Sequence, residues 1–514
     1  MIDLRAIAAV ARADFHERTR RYQYLAAIVV TIVAGTLLLP GRNAGYETFL
    51  IDGYRGIYNS AWTGATFALL AALLLSLLGF YNVKSAVARD RDTHTGEIVA
   101  ATPVSRFDYA MGKASSNFGV LGSMAAVLFL VAIVMQFVRG ESAAFDLRQI
   151  AFPFVLVVAP ALALTASVAL LFEVLPWLRG GFGNVVYFFG WIAALVWTFD
   201  GRALGVPWWR DPLGGNLILR QVWSSLTAID PHAKPSSIEI GAGEAARRLF
   251  VFHGFAWSGA DVAGRLAWLV VSLALVALAA LLFDRFAKPA RSAVRGTRGD
   301  LAFRWRIAAE RWSRPLTDCV FRGNFGALVL AELRLLLGGL SFWWYLVAAG
   351  LFAAQFAVDT KTQSLVVGLA WIWPMLQWSQ LGTRESVFAT EQLIYPTVHP
   401  IRRQFVAQWL AGVVLALATA GGSLIHLTLA GNHSGVEGIV AGAFFVPTLA
   451  LACGSLSGTT RLFEIVYLLL WYAGPMNRTT FDFTQGAYAP GYAIASCILF
   501  AAALAARRVR LAIA

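Results

Sequence analysis

Charged residues are scarce in this chain of 514 residues, and most of those present are basic. Only 14% of the residues are Asp, Glu, Lys or Arg, with 29 acidic against 42 basic, whereas soluble domains carry about 25%. With 58% hydrophobic residues and a mean hydropathy of +0.64, the chain lacks the polar surface that a soluble protein of this length needs. Soluble enzymes, disordered proteins and collagen-like proteins are therefore excluded.

Residues with metal, redox or phosphate chemistry are also few. The three cysteines, Cys319, Cys453 and Cys497, form no disulfide framework, and the seven histidines show no metal-ligand spacing. The chain has one Gly-Lys pair, Gly112-Lys113, and Ala114 follows it where a phosphate-binding loop requires Ser or Thr. We therefore expect no catalytic residue, no metal and no cofactor in this chain, and no enzymatic activity of its own.

Long apolar runs are abundant, and they predict an all-α integral membrane protein. A run of about 20 residues crosses a hydrocarbon core of roughly 30 Å as a helix. The sequence predicts twelve such spans: residues 24–39, 61–81, 118–138, 151–175, 185–197, 266–283, 342–358, 365–380, 410–430, 436–453, 462–473 and 491–506.

The order of the runs predicts two six-helix halves. Each half opens with an amphipathic segment, residues 4–22 and 325–340, of the kind that lies in the plane of the membrane interface. The predicted organisation is a first half, a basic linker and a second half, at residues 1–283, 284–323 and 324–514.

The distribution of Lys and Arg predicts the orientation. Most basic residues lie in the N-terminal segment, the linker, the C-terminal tail and the loops on their side of the membrane. By the positive-inside rule, both termini are cytoplasmic. The net charge of +13 thus indicates topology and contact with membrane lipid rather than nucleic acid. On the exported side the long loop 198–265 shows helical spacing at residues 216–226 and 244–252, which predicts short interfacial helices or else a small folded lid.

Two cytoplasmic loops share a pattern that simple lipid contact does not explain. The first loop, residues 88–113, reads ARDRDTHTGEIVAATPVSRFDYAMGK, and the second loop, residues 384–403, reads RESVFATEQLIYPTVHPIRR. In each, an arginine and an acidic neighbour stand 12 residues before a proline, and basic residues follow it. Those positions are Arg91, Asp92, Pro103 and Arg106, then Arg384, Glu385, Pro396, Arg402 and Arg403. Pro103 should end one helix at Thr102 and let another begin near Ser105.

The first loop resembles the signature loop of the type-2 ABC exporter permeases, over about 25 consecutive residues. The positions that match are Arg91, Asp92, Gly96, Glu97, Thr102, Pro103, Ser105, Arg106, Gly112 and Lys113. His94 stands where that family has a small residue. The second half is similar in topology and in a looser match that includes Glu391. The resemblance implies two permease units fused in one chain of the bacterial cytoplasmic (inner) membrane.

The resemblance also implies a function for both loops, which would couple the permease to a cytoplasmic ABC ATPase present in two copies. ATP and Mg would be bound by that ATPase, and the permease would move an amphipathic or hydrophobic substrate outward. The implied coupling residues are Arg91, Asp92, Gly96, Glu97, Pro103, Ser105, Arg106, Lys113, Arg384, Glu385, Glu391, Pro396, Arg402 and Arg403.

Polar side chains at membrane depth are candidates for a gate or pathway, because burying them in lipid is costly. Glu173, His426 and Glu464 belong to this set, and Trp373 lies beside Pro374 in a span predicted to be kinked. Ion pairing with nearby arginines and ordinary packing are the alternatives for these residues. Two other functions stay open, a secondary transporter and a membrane scaffold or sensor, and neither would need an ATPase.

Overall fold

A computed structural model describes the chain at residues 3–41, 47–199, 206–232, 238–239, 248–286, 324–338, 340, 342–360, 362–387, 401–476 and 481–513. The chain divides into two compact units, Met1–Arg291 and Ser292–Ala514, here the first and second units. Apart from residues 284–286, the expected linker lies outside the described residues.

The first unit is a helical bundle with a small sheet. Its helices are α1 (Leu4–Thr19), α2 (Tyr22–Leu37), α3 (Ser60–Val83), α4 (Ala86–Asp92), α5 (Thr95–Ala101), α6 (Arg106–Arg139), α7 (Leu147–Val174), α8 (Gly181–Thr198), α9 (Gly215–Thr227) and α10 (Gly259–Leu282). Side-chain caps define where several begin: Asn59 accepts a hydrogen bond from the Trp62 amide, and Ser258 forms a capping box with Asp261.

The second unit is helical throughout its described part. Its helices are α11 (Asn324–Leu337), α12 (Phe342–Ala357), α13 (Gln363–Ile372), α14 (Met375–Trp378), α15 (Arg384–Val387), α16 (Val406–Thr419), α17 (Gly421–Leu429), α18 (His433–Ser457), α19 (Thr460–Trp471) and α20 (Ala489–Ile513). Single π turns, Ile401–Phe405 and Tyr472–Met476, precede α16 and follow α19. Pro374 separates α13 from α14, as the sequence predicts for a kinked span.

Seven helices in the described part of the chain are long and apolar enough to cross a membrane. They are Ser60–Asp92, Arg106–Arg139, Leu147–Val174, Gly181–Thr198, Gly259–Leu282, His433–Ser457 and Gly486–Arg510, and the bent pair Arg403–Thr419 and Gly421–Leu429 gives an eighth if it is one span. The chain is therefore a helical, multi-pass membrane protein. The other four predicted spans correspond to shorter helices, α2, α12, α13 and α19, so a count of twelve full spans is not confirmed.

A four-stranded sheet lies at the N-terminal end of α3. Its strands are β1 (Leu50–Ile51), β2 (Tyr54–Gly56), β3 (Ile238–Glu239) and β4 (Arg248–Phe250), in the order β3-β1-β2-β4. β1 and β2 form an antiparallel hairpin, β3 is antiparallel to β1, and β4 is parallel to β2. We call this end of the first unit the sheet end. The opposite end of α3 is the loop end, about 36 Å away for 24 helical residues.

The sheet corrects one sequence-based expectation. Residues 248–250 form a strand rather than part of a helix over residues 244–252, whereas α9 agrees with the helix expected at residues 216–226. The described part of loop 198–265 thus contains both a helix and strands. The sheet is tied to the bundle by Asn59, whose side-chain amide donates to the Phe252 carbonyl at 2.8 Å.

Candidate functional site

The first loop folds as two short helices at the loop end of the first unit. α4 ends at Asp92, His94 takes a left-handed conformation with φ 59°, and α5 follows. The chain is extended at Thr102, and α6 begins after Ser105, whose hydroxyl accepts a hydrogen bond from the Asp108 amide at 3.1 Å. The predicted break at Pro103 is therefore confirmed.

Glu173, near the end of α7, caps the start of α4. Its carboxylate accepts hydrogen bonds from four consecutive backbone amides, at 2.8 Å from Ser85, 2.9 Å from Ala86, 2.7 Å from Val87 and 3.0 Å from Ala88. These are amides that a helix start leaves without an intrahelical acceptor, and a carboxylate there also offsets the helix dipole. Glu173 thus fixes the base of the first loop to a membrane-spanning helix.

Arg179 does not pair with the Glu173 carboxylate, although the sequence offered that pairing. Its guanidinium donates instead to the backbone carbonyls of Glu173 at 2.8 Å and Val174 at 2.9 Å. These carbonyls lie at the C-terminal end of α7, where a cation is favoured. The Glu173 carboxylate consequently accepts hydrogen bonds from the backbone amides at the start of α4.

A buried network of charges joins α1, α4 and α6. The Lys113 ammonium lies 2.8 Å from Asp14 Oδ1 and 2.8 Å from Asp90 Oδ2, and Arg18 Nε lies 2.9 Å from Asp14 Oδ2. Tyr109 donates its hydroxyl hydrogen to Asp90 Oδ2 at 2.5 Å. All five side chains are buried, and the two carboxylates balance the two cations. Such a network is stable only when complete, because removing one member leaves a buried charge unpaired.

The electrostatics of Asp14 show that the network favours its charged form. Burial alone would raise the pKa of Asp14, but the charges of Arg18 and Lys113 and hydrogen bonds from Lys113 and Ser116 outweigh burial and hold the pKa below its usual value. The Ser116 hydroxyl donates to Asp14 Oδ2 at 2.6 Å. The amphipathic helix α1 is thereby fixed to the bundle by a specific polar contact.

The sequence-predicted residues of the first loop divide into exposed and internal sets. Of the predicted coupling residues, Asp92, Glu97, Pro103 and Arg106 are exposed, and so are His94 and Ile98, which were not among them. We call these six residues the tip. His94 Nδ1 lies 2.9 Å from Glu97 Oε1 within it. Lys113 belongs to the buried network, and Ser105 caps α6.

Gly96 and Arg91 pack on the inner side of the first loop. A Cβ at Gly96 would lie 2.7 Å from the Phe286 ring, too close for any larger residue. Arg91 Nη2 lies 3.5 Å from Asp284 Oδ1, and the guanidinium is 5.6 Å from the centre of the Phe286 ring. Both residues hold α4 and α5 against the segment that follows α10, so their predicted positions in the motif serve packing.

The charged pair of the second loop is internal. Glu385 accepts hydrogen bonds from Arg507 Nη2 at 3.1 Å and from the Gln408 amide at 2.9 Å. Arg384 Nη1 lies 3.0 Å from Glu332 Oε2 on the opening helix α11. The Glu385 side chain is only 2% exposed. Both residues therefore join the second loop to other helices of the same unit.

The pKa values of the Glu385 and Glu332 carboxylates shift in opposite directions. Burial would raise the pKa of Glu385, but the charge of Arg507 and its hydrogen bonds to Arg507 and Gln408 hold the pKa below its usual value. Burial raises the pKa of Glu332 more than the charge of Arg384 lowers it, and the charge of Glu385 raises it further. Glu385 is the more firmly ionised of the two.

The remaining residues predicted in the second loop are only partly described. Glu391 and Pro396 lie outside the described residues, as does the side chain of Arg402, while Arg403 is exposed.

The candidate pathway residues of the second unit lie in three separate places. His426 Nδ1 lies 2.7 Å from the Gln363 amide nitrogen, in a polar cluster that also contains Gln355 and Ser423. The Trp373 indole donates to the Trp344 carbonyl at 3.0 Å, which indicates packing. Glu464 is buried in α19. The described contacts do not gather these residues into one site.

Sequence reasoning missed Asp14, Arg18 and Asp90 as members of the network around Lys113. A signal was present, because Asp14 and Arg18 are four residues apart on a helix and form an i,i+4 ion pair beside its apolar face. Long-range partners such as Asp90 carry no comparable local signal.

Within the described residues no three His, Cys, Asp or Glu side chains are grouped as metal ligands would be. No protein-family model matches the chain, and neither a curated protein nor a solved structure matches it.

Proposed function

We propose that this protein is the membrane-spanning permease subunit of an ABC exporter and that the tip of the first loop docks on a separate cytoplasmic ATPase. The observation that carries the proposal is the contrast between the exposed tip and its buried base. A segment that transmits movement from an ATPase needs a surface that the ATPase can bind. It also needs a rigid contact with the helices that move.

The composition of the tip suits a protein partner. Ile98 is 67% exposed, and the charged side chains Asp92, Glu97 and Arg106 are exposed in the same short segment. An apolar side chain surrounded by charged ones is the usual arrangement of a protein interface, with an apolar centre and a polar rim. Lipid contact alone would not favour two carboxylates there, since cytoplasmic leaflets are anionic.

The base of the loop suits the transmission of movement. Glu173 connects α4 to α7, and Lys113 connects α4 to α1 through Asp90 and Asp14. A displacement of the tip therefore acts directly on three other helices of the first unit, α1, α6 and α7. Packed helices respond to such displacements by shifting between discrete arrangements rather than by bending continuously.

We also propose that the chain contains two permease halves, with twelve spans in all and both termini in the cytoplasm. Two copies of the ATPase would bind to it, and these copies would bind ATP and Mg. A repeated contact supports this arrangement. In each unit an acidic residue of the opening amphipathic helix pairs with a basic residue of the loop region, Asp14 with Lys113 and Glu332 with Arg384. The second loop then holds the equivalent coupling element, with Arg384 and Glu385 as its internal anchors.

The proposed cargo is amphipathic or hydrophobic and moves outward across a bacterial cytoplasmic membrane. The scarcity of charge in the sequence supports this class, because a path for a strongly charged solute would need more charged side chains at membrane depth. The same scarcity disfavours the secondary transporter, which uses acidic residues near the middle of the bilayer to bind coupling ions.

The experiment uses the full chain purified with its associated proteins from its native membrane. We expect a second polypeptide that is labelled by a photoreactive ATP analogue and hydrolyses Mg-ATP. Ile98→Arg places a charge at the centre of the tip and should remove that polypeptide. Ile229→Arg is the matched control, because Ile229 is 57% exposed but follows α9 at the sheet end.

Retention of the ATP-labelled polypeptide by the Ile98→Arg protein would contradict the docking site. A wild-type preparation that exports cargo with no ATP-binding partner would contradict the function itself.

A further inference from the structure

A cavity of about 210 Å³ opens at the sheet end of the first unit. Its wall is formed by α9, the start of α10 and the short 3-10 turn Trp208–Arg210. The charged residues in the wall are two aspartates and two arginines: Asp211, Asp261, Arg220 and Arg265. The cavity contains none of the proposed coupling residues of the first loop, which lies at the loop end of the first unit.

The four charges in the wall form two pairs of opposite sign and sum to zero. Arg220 forms an ion pair with Asp261, and Arg265 Nη1 lies 3.7 Å from Asp211 Oδ2. A wall of this kind repels neither an anion nor a cation, and it offers each a partner. It is best matched by a ligand that carries both charges, a zwitterion.

Arg265 is a buried arginine of the cavity wall with one N–H group that no described residue accepts. It is only 4% exposed, and its two Nη atoms donate to the backbone carbonyls of Asp211 at 2.9 Å and Pro212 at 3.1 Å. Its Nε has no acceptor among the described residues. Leaving a buried guanidinium N–H unsatisfied is costly, and a phosphate oxygen is the acceptor that arginine binds best.

Asp211 supplies the complementary preference for a cation. Thr198 and the Leu217 amide donate to its carboxylate, at 3.3 Å and 3.1 Å. Burial nevertheless raises its pKa, despite the charge of Arg265 and these hydrogen bonds. An ammonium group in the cavity would stabilise the ionised carboxylate.

Tryptophans place the cavity at the membrane boundary. Trp208 lines it and is 47% exposed, and its neighbour Trp209 is 53% exposed. The Trp268 indole, one turn beyond Arg265 on α10, donates to the Trp208 carbonyl at 2.9 Å. Exposed tryptophans of membrane proteins concentrate at the level of the lipid headgroups.

We propose that this cavity binds a phosphate-ammonium zwitterion, the headgroup chemistry of phosphatidylethanolamine. Arg220 receives the phosphate beside the buried charge of Arg265, and Asp261 receives the ammonium beside the buried carboxylate of Asp211. The ligand thereby holds α9 and the turn Trp208–Arg210 against α10. The same chemistry has a soluble form, O-phosphoethanolamine, which the test separates from the lipid.

The test is native mass spectrometry of the full chain in detergent with equal amounts of phosphatidylethanolamine and phosphatidylglycerol. We expect preferential retention of phosphatidylethanolamine. Arg220→Gln should weaken that retention about ten-fold, the loss of one charge-assisted contact. Arg148→Gln is the matched control, since Arg148 is an exposed arginine in the first turn of α7 and does not line the cavity.

A second measurement needs no variant and so does not depend on whether Arg220→Gln folds. N-acetylation of phosphatidylethanolamine removes the ammonium charge and should abolish the preference. If O-phosphoethanolamine raises the thermal stability of the protein and the lipid does not, the zwitterion site stands with a soluble ligand. Equal retention of both lipids, undiminished retention of the acetylated lipid, or equal loss in Arg148→Gln would overturn the proposal.

Discussion

The first and second loops carry the same spacing of charge and proline but use their acidic residues differently. Asp92 of the first loop is exposed on the tip, whereas Glu385, at the matching position of the second, is buried against Arg507. In the first loop the buried acid is Asp90, two residues earlier. A shared charge pattern therefore identifies a shared segment without deciding which of its charges contact a partner and which hold the segment in place.

The largest loss of stability is expected from a substitution of Glu385, the buried anchor of the second loop. Glu385→Gln removes the carboxylate charge that lies 3.1 Å from Arg507 Nη2, and breaking a buried ion pair in this way costs about 3–5 kcal/mol. The measurement is the thermal unfolding midpoint of the purified chain. Glu437→Gln, at an exposed glutamate near the start of α18, should leave the midpoint nearly unchanged. Equal midpoints for the two variants would show that Glu385 is not an anchor.

A smaller effect is expected at the base of the first loop. Glu173→Ala removes the acceptor of four backbone amides, and losing a helix cap costs about 1–2 kcal/mol. Hydrogen-exchange mass spectrometry should show faster exchange at residues 85–88, while exchange in α18 of the second unit stays unchanged. Unchanged protection at residues 85–88 would mean that another group holds the loop.

The smallest effect is the acid-dependent part of the stability that Asp14 provides, which is separate from the loss at neutral pH that removal of this buried charge also causes. The pKa of Asp14 is lower in the folded protein than its ordinary value, so its ionised form stabilises the fold above that value. This contribution is lost as the pH falls through the lowered pKa. The unfolding midpoint of Asp14→Asn should therefore fall less steeply than that of the wild type below about pH 4. Parallel curves for the two proteins would contradict the network.

The helical class and the break in the first loop were predictable because both depend on local sequence. Apolar runs of membrane length identify membrane-spanning helices from composition alone. Pro103 disfavours the helical backbone conformation at the residue before it. The starts of α1 and α11 agree with the amphipathic segments to within one residue, whereas both helices end three residues earlier than predicted. The count of full spans was less predictable, because Pro374 and the bend between α16 and α17 divide apolar runs without making them less apolar.

The sheet and the polar networks could not be derived from apolar periodicity. The turn between β1 and β2 contains Asp52 and Gly53, both with positive φ, a pair that strongly favours a two-residue hairpin. That signal predicts β1 and β2. The partners β3 and β4 come from residues nearly 200 positions away, and so do not show in local sequence. The contact between Glu173 and α4 is similarly remote.

The most direct test of the tip as a docking surface is photocrosslinking in native membranes. A photoreactive amino acid would replace Ile98 in one variant and Ile229, at the sheet end, in another. We predict that the residue at position 98 crosslinks to an ATP-binding polypeptide and that the residue at 229 does not. If neither position, or both equally, yield an ATP-binding adduct, the tip is not a specific docking surface and the proposed coupling is contradicted.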